Sequence, residues 1–237
     1  MIIFSPTKMM NIDKPKIKTK EFLFEDKTDF LVKKIQKLTK KEMANLFKIN
    51  DKTLDITYNY YNNFGTTFGN AIDVYNGISF KQIKSFDNEY LSNKVFILSA
   101  LYGISNATQP ICCYRLDFSH RKIFDTNLYN YWEEEIIDFI NYKNEQVLDL
   151  ASKEYSKMIN VKKLNVDFYT VSFICSDKLT SVDLKKLRGH ILNYCIENKI
   201  HDYKLLLDFK TNWISSCELK NNEFIFNVIP KSIMNNN

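Results

Sequence analysis

The sequence predicts a mixed α/β fold, and three observations carry that expectation. Three short runs are apolar, with Asp149 the one exception, as strands covered on both faces are: residues 2–4, 95–98 and 147–150. Longer segments between them show apolar residues at helical spacing behind polar starts. Two further strand-like runs at the C-terminal end flank an Asn-Asn turn. Strands and helices thus alternate along the chain, the pattern of α/β and α+β proteins.

In chain order, Ile2-Ile3-Phe4 is the first buried strand. A helix follows over 29–38, with apolar Phe30, Leu31, Ile35 and Leu38. Thr39-Lys40-Lys41-Glu42 matches a capping box and should open a short helix reaching about Phe47. Asn50-Asp51 then caps a second helix running through Leu54, Tyr58 and Tyr61. Residues 71–75 read as another short strand. A helix over 128–142 takes Asp125 as its cap, and Trp132 within it reads as core. A strand over 168–175 precedes a helix over 182–198, capped by Ser181, with Leu184, Leu187, Ile191 and Cys195 on one face. Residues 213–217 and 223–229 form a hairpin around Lys220-Asn221-Asn222. Residues 235–237 read as a frayed tail, and no linker divides residues 1–237.

Hydrophobic content of 45% and charged content of 26% are ordinary for a soluble globular protein. No apolar run approaches the roughly 18 residues of a membrane helix. The start, MIIFSPTKMM, lacks a basic leader, an apolar stretch and a small-residue cleavage site, so the expectation is a cytoplasmic protein with no membrane partner. Five cysteines without a CxxC pair, and three scattered histidines, argue for free thiols and against a metal site. Five glycines, four prolines and three arginines fit an A/T-rich genome, and no Gly-rich phosphate loop or other cofactor motif is present. The net charge of +5 is uneven, because residues 8–52 hold 13 lysines against 7 acids. A localised basic segment suits phosphate contacts, though a solvated lysine-rich surface has the same composition.

The candidate chemistry sits after the buried strands. Residues 2–4 run into Ser5-Pro6-Thr7-Lys8, and 95–98 into Ser99-Ala100-Leu101-Tyr102-Gly103. Residues 147–150 run into Ala151-Ser152-Lys153-Glu154-Tyr155-Ser156-Lys157. Ligand sites in open α/β sheets form at the carboxyl ends of strands. If the three strands are parallel neighbours, Ser5, Lys8, Ser99, Tyr102, Ser152, Glu154 and Tyr155 line one cleft, with Lys157 beside them. Ser152 can equally cap the next helix. Tyr114-Arg115 and the basic stretch Lys185-Lys186-Leu187-Arg188 add forks and charges suited to phosphate or carboxylate.

Eight segments, taken together and in order, resemble the YaaA family of peroxide stress response proteins. They are Ser5-Pro6-Thr7-Lys8, Lys48-Ile49-Asn50-Asp51-Lys52, Tyr75-Asn76-Gly77, Leu98-Ser99-Ala100-Leu101-Tyr102-Gly103, Tyr114-Arg115-Leu116, Leu128-Tyr129-Asn130-Tyr131-Trp132, Leu150-Ala151-Ser152-Lys153-Glu154-Tyr155 and Arg188-Gly189. The resemblance implies a single mixed α/β unit with a positively charged cleft and a helix-hairpin-helix element. It also implies a bacterial role in hydrogen peroxide defence, lower unincorporated iron, and binding of double-stranded or branched DNA. Carried onto this chain, the element is the two short helices joined by Lys48-Ile49-Asn50, with Lys40, Lys41, Lys48, Asn50 and Lys52 as the DNA contacts. Such hairpins usually use glycine; here Asn50, which tolerates a left-handed backbone, is expected to stand in for it. An alternative reading is an enzyme acting on a nucleotide, nucleobase or related small molecule in the cleft, because a Glu among cleft residues is not what phosphate binding alone needs. Direct iron chelation is disfavoured, since carboxylates, His and Cys are not clustered at ligand spacing.

Overall fold

The computed structural model describes residues 1–13, 15, 22–118, 122–123 and 125–230, so the expected tail at 235–237 lies outside the described residues. β1 (Ile2–Phe4) is buried at every position. Three helices follow: α1 (Glu25–Gln36), α2 (Lys40–Phe47) and α3 (Asp51–Asn62). A short strand β2 (Gly69–Asn70) leads into the single turn α4 (Ala71–Val74), and α5 (Asn88–Lys94) leads into β3 (Val95–Ser99) and β4 (Gly103–Asn106). After β5 (Pro110–Ile111), β6 (Lys122–Ile123) and β7 (Thr126–Asn127) comes the long α6 (Leu128–Lys143). The chain ends with β8 (Val147–Asp149), α7 (Lys153–Ser156), β9 (Phe168–Ile174), α8 (Ser181–Glu197) and the hairpin β10 (Ile214–Lys220) and β11 (Glu223–Val228).

Seven of these strands make one sheet in the order β10-β11-β9-β8-β1-β3-β4. The five inner strands run parallel, and β10 and β4 close the two edges antiparallel. The three apolar runs are therefore adjacent, with β1 between β3 and β8. Each is buried on both faces, which is why each reads as a continuous hydrophobic run instead of an alternating one. The hairpin turn places Asn221 and Asn222 at φ 51° and 60°, the left-handed conformations that a tight two-residue turn requires.

Three helices differ from expectation in their starts or caps. α1 begins four residues before Asp29, because Thr28 is buried and its N–H donates to the Phe24 carbonyl at 3.0 Å. α6 is capped by Asn127, whose side chain accepts from the Tyr129 N–H at 3.0 Å; Asp125 instead turns the chain between β6 and β7 at φ 63°. α8 is capped by Thr180 in a capping box with Asp183, one residue before Ser181. The capping box at Thr39 and Glu42 forms as expected, the Thr39 N–H reaching the Glu42 carboxylate at 2.8 Å.

Residues 71–75 are not a strand. The N–H groups of Ala71 and Ile72 donate to the carbonyls of Gln109 and Ala107, and the Tyr75 N–H closes a helical turn on Ala71. Backbone partners from a distant loop thus replace the sheet ladder that a strand over 71–75 would need.

Candidate functional site

The chain leaves β1 toward β3 on one side and later returns to β8 on the other, so a topological switch point lies between β1 and β8. Crevices at such points, outside the carboxyl ends of strands, are where α/β sheets bind ligands. The two strand ends are stitched together there. The Ser152 N–H donates to Ser5 Oγ at 2.7 Å, and Ser5 Oγ donates to Ser152 Oγ at 3.3 Å. Ser152 occupies the cap position of α7, yet its hydroxyl makes no cap bond. A cavity of about 340 Å³ opens above this seam, lined by Ser5, Lys8, Ser152, Glu154, Tyr155 and Arg188 of the expected set. Asp117 and Lys185 also face it.

The charges in the cavity are not all matched. Lys8 Nζ lies 2.6 Å from the buried carboxylate of Asp117. Arg188 forms no ion pair among the described residues, although the Asp149 carboxylate acts on its charge. Its Nε is buried without a hydrogen-bond partner, and its guanidinium lies 5.7 Å from the centre of the Phe173 ring. Burial lowers the pKa of Arg188, and Asp149 pulls it the other way. Burial pushes the Asp149 carboxyl up to about 6, against the Ser156 hydroxyl (2.5 Å), the Ala151 N–H (2.8 Å) and the Arg188 charge. Burial also raises the Tyr155 hydroxyl well above its ordinary range, with the neighbouring Tyr114 and Asp117 adding to it.

α8 carries Arg188 to the cleft, and the next residue explains how it comes so close. A Cβ at Gly189 would collide with the Ser79 carbonyl and lie 2.9 Å from Gln82 Cβ, so only glycine lets the helix seat there. Leu187, Ile191 and Leu192 anchor the same helix in the core.

Ser99, Tyr102 and Tyr114 are not in the cavity wall. Ser99 Oγ and Tyr114 Oη share a hydrogen bond of 2.8 Å, and Tyr114 shares another of 2.9 Å with Tyr75. Ser99 also accepts the N–H groups of Leu101 and Tyr102, and the Tyr102 hydroxyl bonds both the carbonyl and the N–H of Cys112. These residues brace the turn after β3, where Gly103 takes φ +70° behind the Trp132 ring. Arg115 lines a separate narrow crevice with Lys8, Tyr114 and Tyr155, and Lys157 is exposed away from the lining. The sequence reading missed Asp117 and Asp149 as parts of the site. Asp149 carried a signal, being a lone acid inside the apolar run Val147-Leu148-Asp149-Leu150; Asp117 carried none.

A second charged surface stands on α2 and α3, which pack against each other across a three-residue turn. Lys40, Lys41, Lys48, Asn50 and Lys52 are all exposed. Lys40 pairs with Asp55 at 2.7 Å, whereas Lys41, Lys48 and Lys52 make no ion pair among the described residues. Asn50 does not take the left-handed position. It is extended (φ −80°, ψ 168°) with its side chain accepting from the Thr53 N–H, and Lys48 ends α2 at φ 49°. The reason is positional: a helix cap demands an extended backbone, while the left-handed residue belongs at the end of the preceding helix.

Fold and site together define an α/β protein with a strand-end cleft at its switch point and a lysine-studded helix pair. The chain belongs to the peroxide stress protein YaaA family, whose model matches residues 1–214. It is 36% identical over 222 residues to a UPF0246 protein of Fusobacterium nucleatum, covering 87% of this chain and 89% of that one. It is 35% identical over 230 residues to a UPF0246 protein of Crocosphaera subtropica (88% and 91% covered). A UPF0246 protein of Finegoldia magna is 33% identical over 246 residues, covering 98% of both chains. No helix among the described residues is long and apolar enough to cross a membrane.

Proposed function

We propose that this peroxide stress protein binds double-stranded or branched DNA through the exposed face of α2, α3 and their turn, and so helps limit iron-driven oxidative damage. One observation carries the reading: Lys41, Lys48 and Lys52 project from a braced helix pair with no acidic partner among the described residues. Unpaired lysines release phosphate counterions at no cost of a broken ion pair. The contacts are to phosphate, so little base preference is expected. The test is fluorescence anisotropy with labelled duplex and four-way-junction DNA. The double substitution Lys48→Glu/Lys52→Glu should weaken binding at least 100-fold. Wild-type affinity in that variant would show that the surface is wrongly assigned, and no binding by the wild type at low salt would remove the DNA reading altogether.

A further inference from the structure

The strand-end cavity has a charge pattern that DNA binding by α2 and α3 does not use. Arg188 is partly buried and its Nε meets no acceptor among the described residues. Asp149 acts on the Arg188 charge but accepts no hydrogen bond from it; a buried guanidinium N–H left without an acceptor is costly, and a bound anion that accepts from it would offset that cost. Lys185 stands one helical turn earlier, so both cations share one face of α8. Lys185 also makes no ion pair among the described residues, while the third cation, Lys8, is matched by Asp117. Two cations that form no ion pair among the described residues fit one dianion. Ser152 Oγ accepts from Ser5, which leaves its own proton free to donate into the cavity.

The rest of the lining selects what the anion is attached to. Pro6, Ile78 and Leu150 give an apolar wall suited to a flat ring, and Glu154 offers an acceptor for amino or hydroxyl groups. The volume of about 340 Å³ is at the small end of ligand pockets, which run roughly 300–1,000 Å³. It admits one base, one sugar and one phosphate. A di- or triphosphate would bring more negative charge than the free cations match.

We propose that this cavity binds a nucleoside monophosphate, its phosphate held by Arg188 and Lys185 and by the Ser152 hydroxyl. The same chemical group occurs as a free nucleotide and at the 5′ end of a DNA strand. The site is independent of the α2–α3 surface, so neither proposal falls with the other.

The experiment is calorimetric titration of the full chain with the four common nucleoside monophosphates, their nucleosides, inorganic phosphate, and a short single strand with and without a 5′ phosphate. At least one monophosphate should bind at least 10-fold tighter than its nucleoside and than inorganic phosphate. Arg188→Gln should weaken that binding at least 10-fold. Lys185→Glu, at an exposed position that folding does not depend on, should weaken it as well. A 5′-phosphorylated strand that outcompetes the free nucleotide, and loses its advantage in Arg188→Gln, supports the site and assigns its ligand to strand ends; the reverse order assigns it to free nucleotide. The proposal is overturned if no nucleotide, free or at a strand end, gives saturable heat at millimolar concentration. It is equally overturned if inorganic phosphate binds as tightly, or if Lys185→Glu retains wild-type affinity.

Discussion

Asp149 ends β8 with its carboxyl buried under the cleft, and its environment makes it a pH-dependent liability. Below about pH 4 the folded and unfolded chains both hold its proton, and the residue imposes no penalty. As pH rises toward 6 the unfolded chain ionises first, because the folded carboxyl titrates only at about 6. Stability is therefore lost across that window and the loss levels off above it, at about 3 kcal/mol. Asp149→Asn should flatten the pH 4–6 part of the stability profile relative to wild type, as measured by urea unfolding at fixed pH steps. Parallel profiles for the two proteins would refute the buried carboxyl as the source. At this scale the sequence is uneven as a guide. Ser5, Lys8, Ser152, Glu154, Tyr155 and Arg188 follow strands or sit in a basic helix stretch, and the structure gathers them. Ser99 and Tyr102 follow a strand in the same way, but the turn after β3 folds back on β4 and draws them into core hydrogen bonds. Nothing local distinguishes the two outcomes.

Elements are more legible than residues, because caps and apolar runs act over a few neighbours. The capping box at Thr39 is a case: its N–H and hydroxyl hold the Glu42 carboxylate below its usual range, and the Glu42 N–H returns a bond of 3.3 Å. Thr39→Ala should destabilise the protein by about 1 kcal/mol, read by thermal unfolding. It should also weaken DNA binding modestly, since α2 carries Lys40 and Lys41. An unchanged midpoint would mean that packing alone sets the start of α2. The caps of α6 and α8 lie two residues and one residue from those expected, where several polar residues compete to cap and the loop geometry selects one. The failure at 71–75 is of a different kind. A five-residue run with two β-branched side chains, Ile72 and Val74, suits either state, and the carbonyls of Ala107 and Gln109 decide for a helical turn.

At the scale of the whole molecule, the sheet order brings together segments some 145 residues apart, as the Ser5–Ser152 seam shows. The two charged regions stay distinct: acidic and basic residues together line the cavity, while the helix pair carries Lys41, Lys48 and Lys52 with no ion pair among the described residues. The second arrangement makes a quantitative prediction. If Lys41, Lys48 and Lys52 each neutralise one phosphate, the logarithm of the DNA association constant should fall with the logarithm of salt at a slope of about −3. A salt series by anisotropy measures it. A slope near zero would contradict phosphate contacts, and a slope well beyond −3 would bring in lysines elsewhere among residues 8–52.

The amino-acid sequence by itself determined the α/β class, the three buried strands, most helices, the C-terminal hairpin and the family. Each of these rests on short-range patterns of apolar and capping residues that survive without knowledge of the fold. The tertiary structure alone decided that β1 lies between β3 and β8, and hence which strand ends share a cavity. It also decided that Arg188 forms no ion pair among the described residues while Lys8 pairs with Asp117, and that Lys48 instead of Asn50 takes the left-handed turn. Those outcomes depend on which distant groups are brought within hydrogen-bonding distance, and no local spacing encodes that.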